Sequence, residues 1–458
     1  MLNRFATALI ATVSICTAGC ASFKEYRTDY SLCAVNGAES AAQCDAHALQ
    51  QVTNQDGTSY LLGFIEFDDQ GQLWDRKQMQ AVVDKLYADV GARDLLMVVF
   101  VHGWKHSAAP GDTNIETFRK VLANVARAEA QQSRLAGVPA RQVAGVYLGW
   151  RGGSLTLPWI ENLTFWERKN TADKVGHGGV TEVLTRLELV KLDKDSTVQG
   201  GSRTKLAVVG HSFGGLVVNA ALSQILEARF VRTVGPSGQA TNAEGFGNLV
   251  VLINPAVEAL AYAPLSDMST ERGSYFDNQL PVLVALTSEA DWATRYAFPA
   301  GRRVSTLFEK TVPSIERFNG LTRKSESIDE DQANVAAVGH FEPYRTHRLY
   351  PSEGSSTETP AQSPEATLGA LRNTSLGWVQ DKPGSKIDFS GVTLERSMSS
   401  PGRDPYLMVY VDGRLIKDHN DIDDPRIIEF IKQVILISTQ TPEQASSVRA
   451  LPAAPTAQ

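Results

Sequence analysis

Lys205-Leu206-Ala207-Val208-Val209-Gly210-His211-Ser212-Phe213-Gly214-Gly215-Leu216-Val217-Val218 is the stretch on which the fold turns. Residues 205–209 form a short apolar run with β-branched members, which predicts a buried strand. Residues 215–227 are apolar almost all round, which predicts a buried central helix. Between them lies Gly-x-Ser-x-Gly, so the serine sits where strand passes into helix. A turn that sharp strains the serine backbone and lifts its hydroxyl out of the sheet. Gly210 and Gly214 leave room for the turn, because a Cβ at either place would clash. The helix start places positive potential beside an oxygen that gains negative charge. Ser212 is therefore the candidate nucleophile. The competing reading is an ordinary serine in a glycine-rich turn, and the flanking strand and helix weigh against it.

The same alternation continues on both sides. Apolar runs at 95–101, 143–148, 249–253, 281–287 and 406–411 read as strands. From 95 to 287 they are nearly continuous hydrophobics, as strands covered on both faces should be. Helical spacing is present at 78–90 and 115–130, and Pro425 opens a further helix over 425–437. An earlier run at 60–67 is followed by Asp68-Asp69-Gln70-Gly71, a turn signal that predicts a hairpin. Strands alternating with helices predict an α/β fold with a mostly parallel sheet and helices on both faces. Two stretches break the alternation. Residues 150–179, with Trp159, Phe165 and Trp166, are expected either to cap the site or to make a surface excursion whose rings fill local core. Residues 350–405, rich in Pro, Ser, Gly and Thr, predict a long irregular insertion before the last strand. Residues 438–458 read as a disordered tail.

The chain has 458 residues and a net charge of -7 without a basic run, which argues against a nucleic-acid partner. A charged Arg4 and an apolar run at 5–15 read as a leader, too short to span a bilayer permanently. Residues 1–19 are read as a signal peptide, 20–58 as anchor and linker, and 59–437 as the folded domain. The cysteines are Cys16, Cys20, Cys33 and Cys44. Cleavage before Cys20 leaves Cys33 and Cys44 as a pair, either joined in a disulfide or present as free thiols. Nothing in the spacing predicts a metal site. His102 and His106 are rejected as a metal pair, because Gly103 makes their segment unlike a helix.

Thr17-Ala18-Gly19-Cys20 resembles the lipobox of bacterial lipoproteins, although that family usually has Leu where this chain has Thr17. The resemblance implies acyl chains on Cys20 and a lipid anchor in the cell envelope. Ala21 after the cysteine implies the outer membrane. Ordinary cleavage without lipid is the alternative. Around Ser212, the motif and the strand order resemble the α/β-hydrolase superfamily, on its esterase and lipase side, over roughly 60–437.

That second resemblance carries residue roles. His102-Gly103-Trp104 follows the strand at 95–101, so the backbone N–H groups of Trp104 and Phe213 are expected to form the oxyanion hole, with His102 structural. The family order is Ser, then Asp or Glu, then His. The acid is expected in Ser288-Glu289-Ala290-Asp291, with Asp291 preferred and Glu289 as the alternative. The base is expected after the last strand, where His419 lies. His340 is the competitor and His347 a weaker one. The implied reaction is hydrolysis of a carboxylic ester through an acyl-enzyme, on a small-molecule or lipid-like substrate, with no cofactor. A serine peptidase or amidase, and a non-catalytic envelope binding protein, stand as alternatives.

Overall fold

The computed structural model describes residues 23–153, 165–234, 240–353 and 364–452. The leader at 1–19, Cys20, Trp159 and the last six residues lie outside these ranges.

Fourteen strands are present among the described residues. They are β1 (Asp29–Val35), β2 (His47–Thr53), β3 (Ser59–Glu66), β4 (Leu95–Val101), β5 (Gln142–Gly149), β6 (Lys205–His211) and β7 (Leu249–Ile253) in the first half. The second half holds β8 (Leu283–Ser288), β9 (Ile315–Asn319), β10 (Lys324–Ile328), β11 (His347–Pro351), β12 (Lys386–Phe389), β13 (Val392–Arg396) and β14 (Tyr406–Val411). Twelve form one sheet in the order β1-β2-β3-β5-β4-β6-β7-β8-β14-β11-β13-β12, and β9 and β10 make a separate hairpin. From β3 to β11 in that order, every neighbouring pair is parallel. The carboxyl ends of these strands therefore share one edge of the sheet, and the loops that leave them meet there.

β4 shows why the central strands are apolar throughout. Leu95, Met97, Val99 and Val101 belong to one hydrophobic layer, and Leu96, Val98 and Phe100 to the other. Alternate side chains point to opposite faces, so a strand covered twice has no polar side. The helix Phe213–Val231 lies in the first layer, and the helices Thr113–Ala136 and Pro425–Thr439 lie in the second. The protein is thus α/β, with helices on both faces of a large, mostly parallel sheet.

Four boundaries differ from the sequence reading. The expected linker at 20–58 contains β1 and β2 at the sheet edge. Only one residue of β1 is buried, so it carries little of the apolar signal of a central strand. The segment is nonetheless tied down. Arg27 and Tyr26 donate backbone N–H groups to the buried Glu66 carboxylate, and Cys33 and Cys44 form a disulfide. The predicted hairpin at 60–67 also turns out differently. The Asp68–Gly71 turn forms, but it leads only to a single bridge, Phe67 to Leu73, and the antiparallel partner of β3 is the preceding β2.

The insertion expected at 350–405 is largely regular. β11, β13 and β12 extend the sheet, and a helix spans Pro364–Val379. Its order comes from contacts distant in sequence. Arg396 pairs with Asp381, both buried, at 2.6 Å, and the Trp378 indole donates to the Gln279 carbonyl. The described part of the tail, up to 452, is regular as well. The helix from Pro425 runs to Thr439, and a second helix, Pro442–Arg449, is capped by Thr441 and Gln444. Buried Arg141 donates to the Thr439 carbonyl, and the Gln444 amide donates to Glu129. No helix of the described residues is long and apolar enough to cross a membrane.

Candidate active site

Ser212 stands between β6 and the helix Phe213–Val231 with φ 56° and ψ -120°. That region is unfavourable for any residue with a Cβ, and the surroundings hold it. The Ser212 N–H donates to the Ile253 carbonyl at the end of β7, and its carbonyl accepts from Leu216 and Ala256. The flanking glycines act as the sequence predicts. A Cβ on Gly214 would lie 2.0 Å from the Val101 carbonyl oxygen, and one on Gly210 would lie 2.6 Å from the Gly214 oxygen.

Two loops from the same sheet edge complete the arrangement. Ser212 Oγ lies 2.5 Å from His419 Nε2, and His419 Nδ1 lies 2.8 Å from Asp291 Oδ2. Asp291 follows β8, and His419 follows β14, which pairs with β8. Serine, histidine and aspartate are all buried, so their mutual hydrogen bonds are little weakened by water. Burial works to raise the Asp291 pKa. It is outweighed by hydrogen bonds from His419 and Thr294, which hold the carboxyl below its ordinary value. Asp291 is thus a carboxylate able to orient His419 and stabilise it when it takes a proton.

The competing residues lie elsewhere or touch the site differently. Glu289 accepts the Gly413 N–H and makes no contact with His419. His347 is buried in β11 beside the Thr346 hydroxyl. His340 reaches Thr294, 2.9 Å away, and Thr294 in turn donates to Asp291. His102 is a scaffold residue: its Nε2 accepts from Trp150 N–H, and its ring stacks on Trp150 at 5.6 Å with planes 4° apart. Burial pushes its pKa down to about 4. His106 bonds Asp112 and Asn114, and no cluster suited to a metal ion exists among the described residues.

The oxyanion-hole candidates flank the serine. Phe213 opens the long helix, and Trp104 lies in the loop after β4, which Lys105 N–H fixes to the Gly152 carbonyl. Neither the Trp104 N–H nor the Phe213 N–H donates to another backbone group of the described residues. Gly103 lets this loop press against the turn, since a Cβ there would lie 2.8 Å from Ser212 Cβ. Of the segment expected as a cap, 150–153 and 165–179 are described. The Phe165 ring lies 4.9 Å from that of Phe213 and 5.4 Å from that of Trp104, so this side of the site is aromatic.

Three supporting residues escaped the sequence reading. His211 Nε2 lies 3.0 Å from the His419 carbonyl oxygen, which also accepts the Asn254 side-chain amide at 3.0 Å. A carbonyl only accepts, so His211 carries its proton on Nε2. Burial, reinforced by nearby His419, pushes its pKa down to about 3, which keeps it neutral. Thr294 clamps the acid by giving its N–H to Asp291 Oδ1 and its hydroxyl to Oδ2. The x of Gly-x-Ser-x-Gly was visible in sequence, but nothing local says that its ring would meet a carbonyl 208 positions away. Comparison of the chain with protein-family models, curated proteins and solved structures found no match.

Proposed function

We propose that the protein is a serine hydrolase of the α/β-hydrolase type, acting on carboxylic esters. The observation that carries this reading is the unbroken chain from Ser212 Oγ through His419 to Asp291, built at 2.5 Å and 2.8 Å. His419 takes the Ser212 proton as Oγ attacks the ester carbonyl. The carbonyl oxygen gains charge beside the N–H groups of Trp104 and Phe213. His419 then protonates the departing alcohol, leaving an acyl-enzyme, and a water activated the same way releases the acid. The partly buried aromatic rings of Trp104 and Phe165 suit an apolar acyl group, which supports a lipid-like ester. The leader and Cys20 support attachment to the bacterial envelope through acyl chains, with the outer membrane as the expected address.

A fluorophosphonate probe tests the reaction class. It should label the wild type at Ser212 and leave Ser212→Ala unlabelled. A panel of p-nitrophenyl esters and peptide anilides then separates esterase from amidase, and faster anilide turnover would overturn the ester assignment. Intact-mass spectrometry of protein from a bacterial host should find acyl chains on Cys20. An unmodified N-terminus there would remove the anchor.

A further inference from the structure

We infer that His340 is a positioning residue for the acid: it donates Nε2–H to the Thr294 hydroxyl and so turns that hydroxyl's single proton onto Asp291. The argument is proton bookkeeping. Asp291 is a carboxylate and has only acceptors to offer. Thr294 Oγ1 lies 2.5 Å from Asp291 Oδ2, so the hydroxyl must donate to it. Its one proton is then used. Thr294 Oγ1 also lies 2.9 Å from His340 Nε2, and the only proton left for that contact is on the imidazole. His340 is therefore the Nε2–H tautomer, and it leaves Thr294 one useful orientation.

The surroundings hold His340 in that role. The Arg345 guanidinium lies 3.8 Å from the Tyr410 ring centre and donates to the Gly339 and His340 carbonyls. The Tyr410 ring meets His340 edge-on at 6.2 Å. Gly339 packs on β8, where a Cβ would lie 2.0 Å from Thr287 Oγ1. Burial pushes the His340 pKa down to about 4. Asp291 opposes that shift, and Arg345 and Arg295 add to it. The ring is thus neutral when His419 is working.

The consequence reaches His419 through Asp291. Each donor to the carboxylate spreads its charge and makes it less basic. Without His340 the Thr294 hydroxyl is free to turn away. Asp291 then holds protonated His419 more tightly, and the acid limb of the pH–rate profile moves to higher pH. The effect on turnover rests on the proposed hydrolase activity, whereas the hydrogen-bond assignment does not.

The test is a pH profile of kcat/KM for wild type, His340→Leu, His340→Gln and Thr294→Val. His340→Leu and Thr294→Val should each lower kcat by about tenfold and raise the acid-limb inflection by about half a unit, with KM little changed. His340→Gln offers an amide N–H and should restore the inflection. The double variant Thr294→Val/His340→Leu should be no worse than Thr294→Val, because both act through one bond. A wild-type inflection in His340→Leu, or multiplying effects in the double variant, would overturn the inference. Histidine nitrogen NMR reads the same point without turnover: His340 should be protonated on Nε2 and bare on Nδ1, and the opposite tautomer would overturn the inference. A wild type that neither turns over esters nor takes up fluorophosphonate defeats the hydrolase reading, and the NMR tautomer of His340 still decides this one.

Discussion

The loop after β14 and the segment at 338–345 both bring a histidine toward Asp291, yet the two side chains do different work. His419 meets Asp291 Oδ2 through Nδ1 and turns Nε2 onto Ser212. His340 spends its Nε2 on Thr294 and stays one residue removed from the carboxylate. The difference lies in where each segment enters the sheet edge. His419 leaves a strand that pairs with β8, and His211 and Asn254 clamp its carbonyl beside the serine turn. The 338–345 segment is fastened further back, by Val338 N–H to the Val257 carbonyl and by the bridge of Glu258 with Ala337. A histidine near the acid is therefore not enough. The candidate base is the one whose second nitrogen faces the hydroxyl.

The sharpest way to break this comparison is to remove its ends. Ser212→Ala and His419→Ala should each fold normally and lose about 10⁴-fold or more in turnover of one p-nitrophenyl ester. The double variant should be little worse, because the triad acts as a unit. An active His419→Ala beside a dead His340→Ala would reverse the two roles. Asp291→Asn should cost about 10³- to 10⁴-fold, since the amide presents the wrong donor to His419 Nδ1, while Glu289→Gln should leave kcat nearly unchanged. Equal losses in both carboxylate variants would contradict the assignment of the acid.

The supporting clamps should give smaller effects. His211→Phe and Asn254→Ala each remove one of two donors to the His419 carbonyl, and each should lower kcat by about 10- to 100-fold at little cost in KM. A rise in KM with kcat intact would place these residues in substrate binding instead. The tenfold effect of His340→Leu sits below these, as its distance from the reacting atoms requires.

The smallest test uses pH on the resting protein. Burial holds His102, His211 and His340 at about 4, about 3 and about 4, against an ordinary value of 6.5. Below 6.5 the unfolded chain takes up protons that these folded histidines refuse. Stability should therefore fall as pH drops from about 6.5 toward 4. Buried His347, also lowered, adds to this loss, whereas Asp404, raised by burial to about 6, and the raised carboxyls of Glu66 and Asp267 act in the opposite direction. Urea midpoints at pH 7 and pH 5 check the sign, and a midpoint that rises on acidification would contradict neutral buried histidines.

Much of this was local and so open to sequence. The bounds of β4, β7 and β14 match the apolar runs, because strands covered on both faces have no polar positions to blur them. The strain at Ser212 was written in Gly210 and Gly214. Asp291 and His419 followed from the resemblance to α/β hydrolases, which places the acid and the base relative to the strands. By contrast, β1, β12 and β13 lie at or beside the sheet margins and lack the continuous apolar run of a central strand, so composition alone read their regions as linker and insertion. What only the tertiary structure decided is which atoms meet. His211 to His419, Thr294 to Asp291 and His340 to Thr294 are contacts between loops that share a sheet edge. The direction of each proton is fixed by which partner can only accept, and sequence spacing does not carry that information.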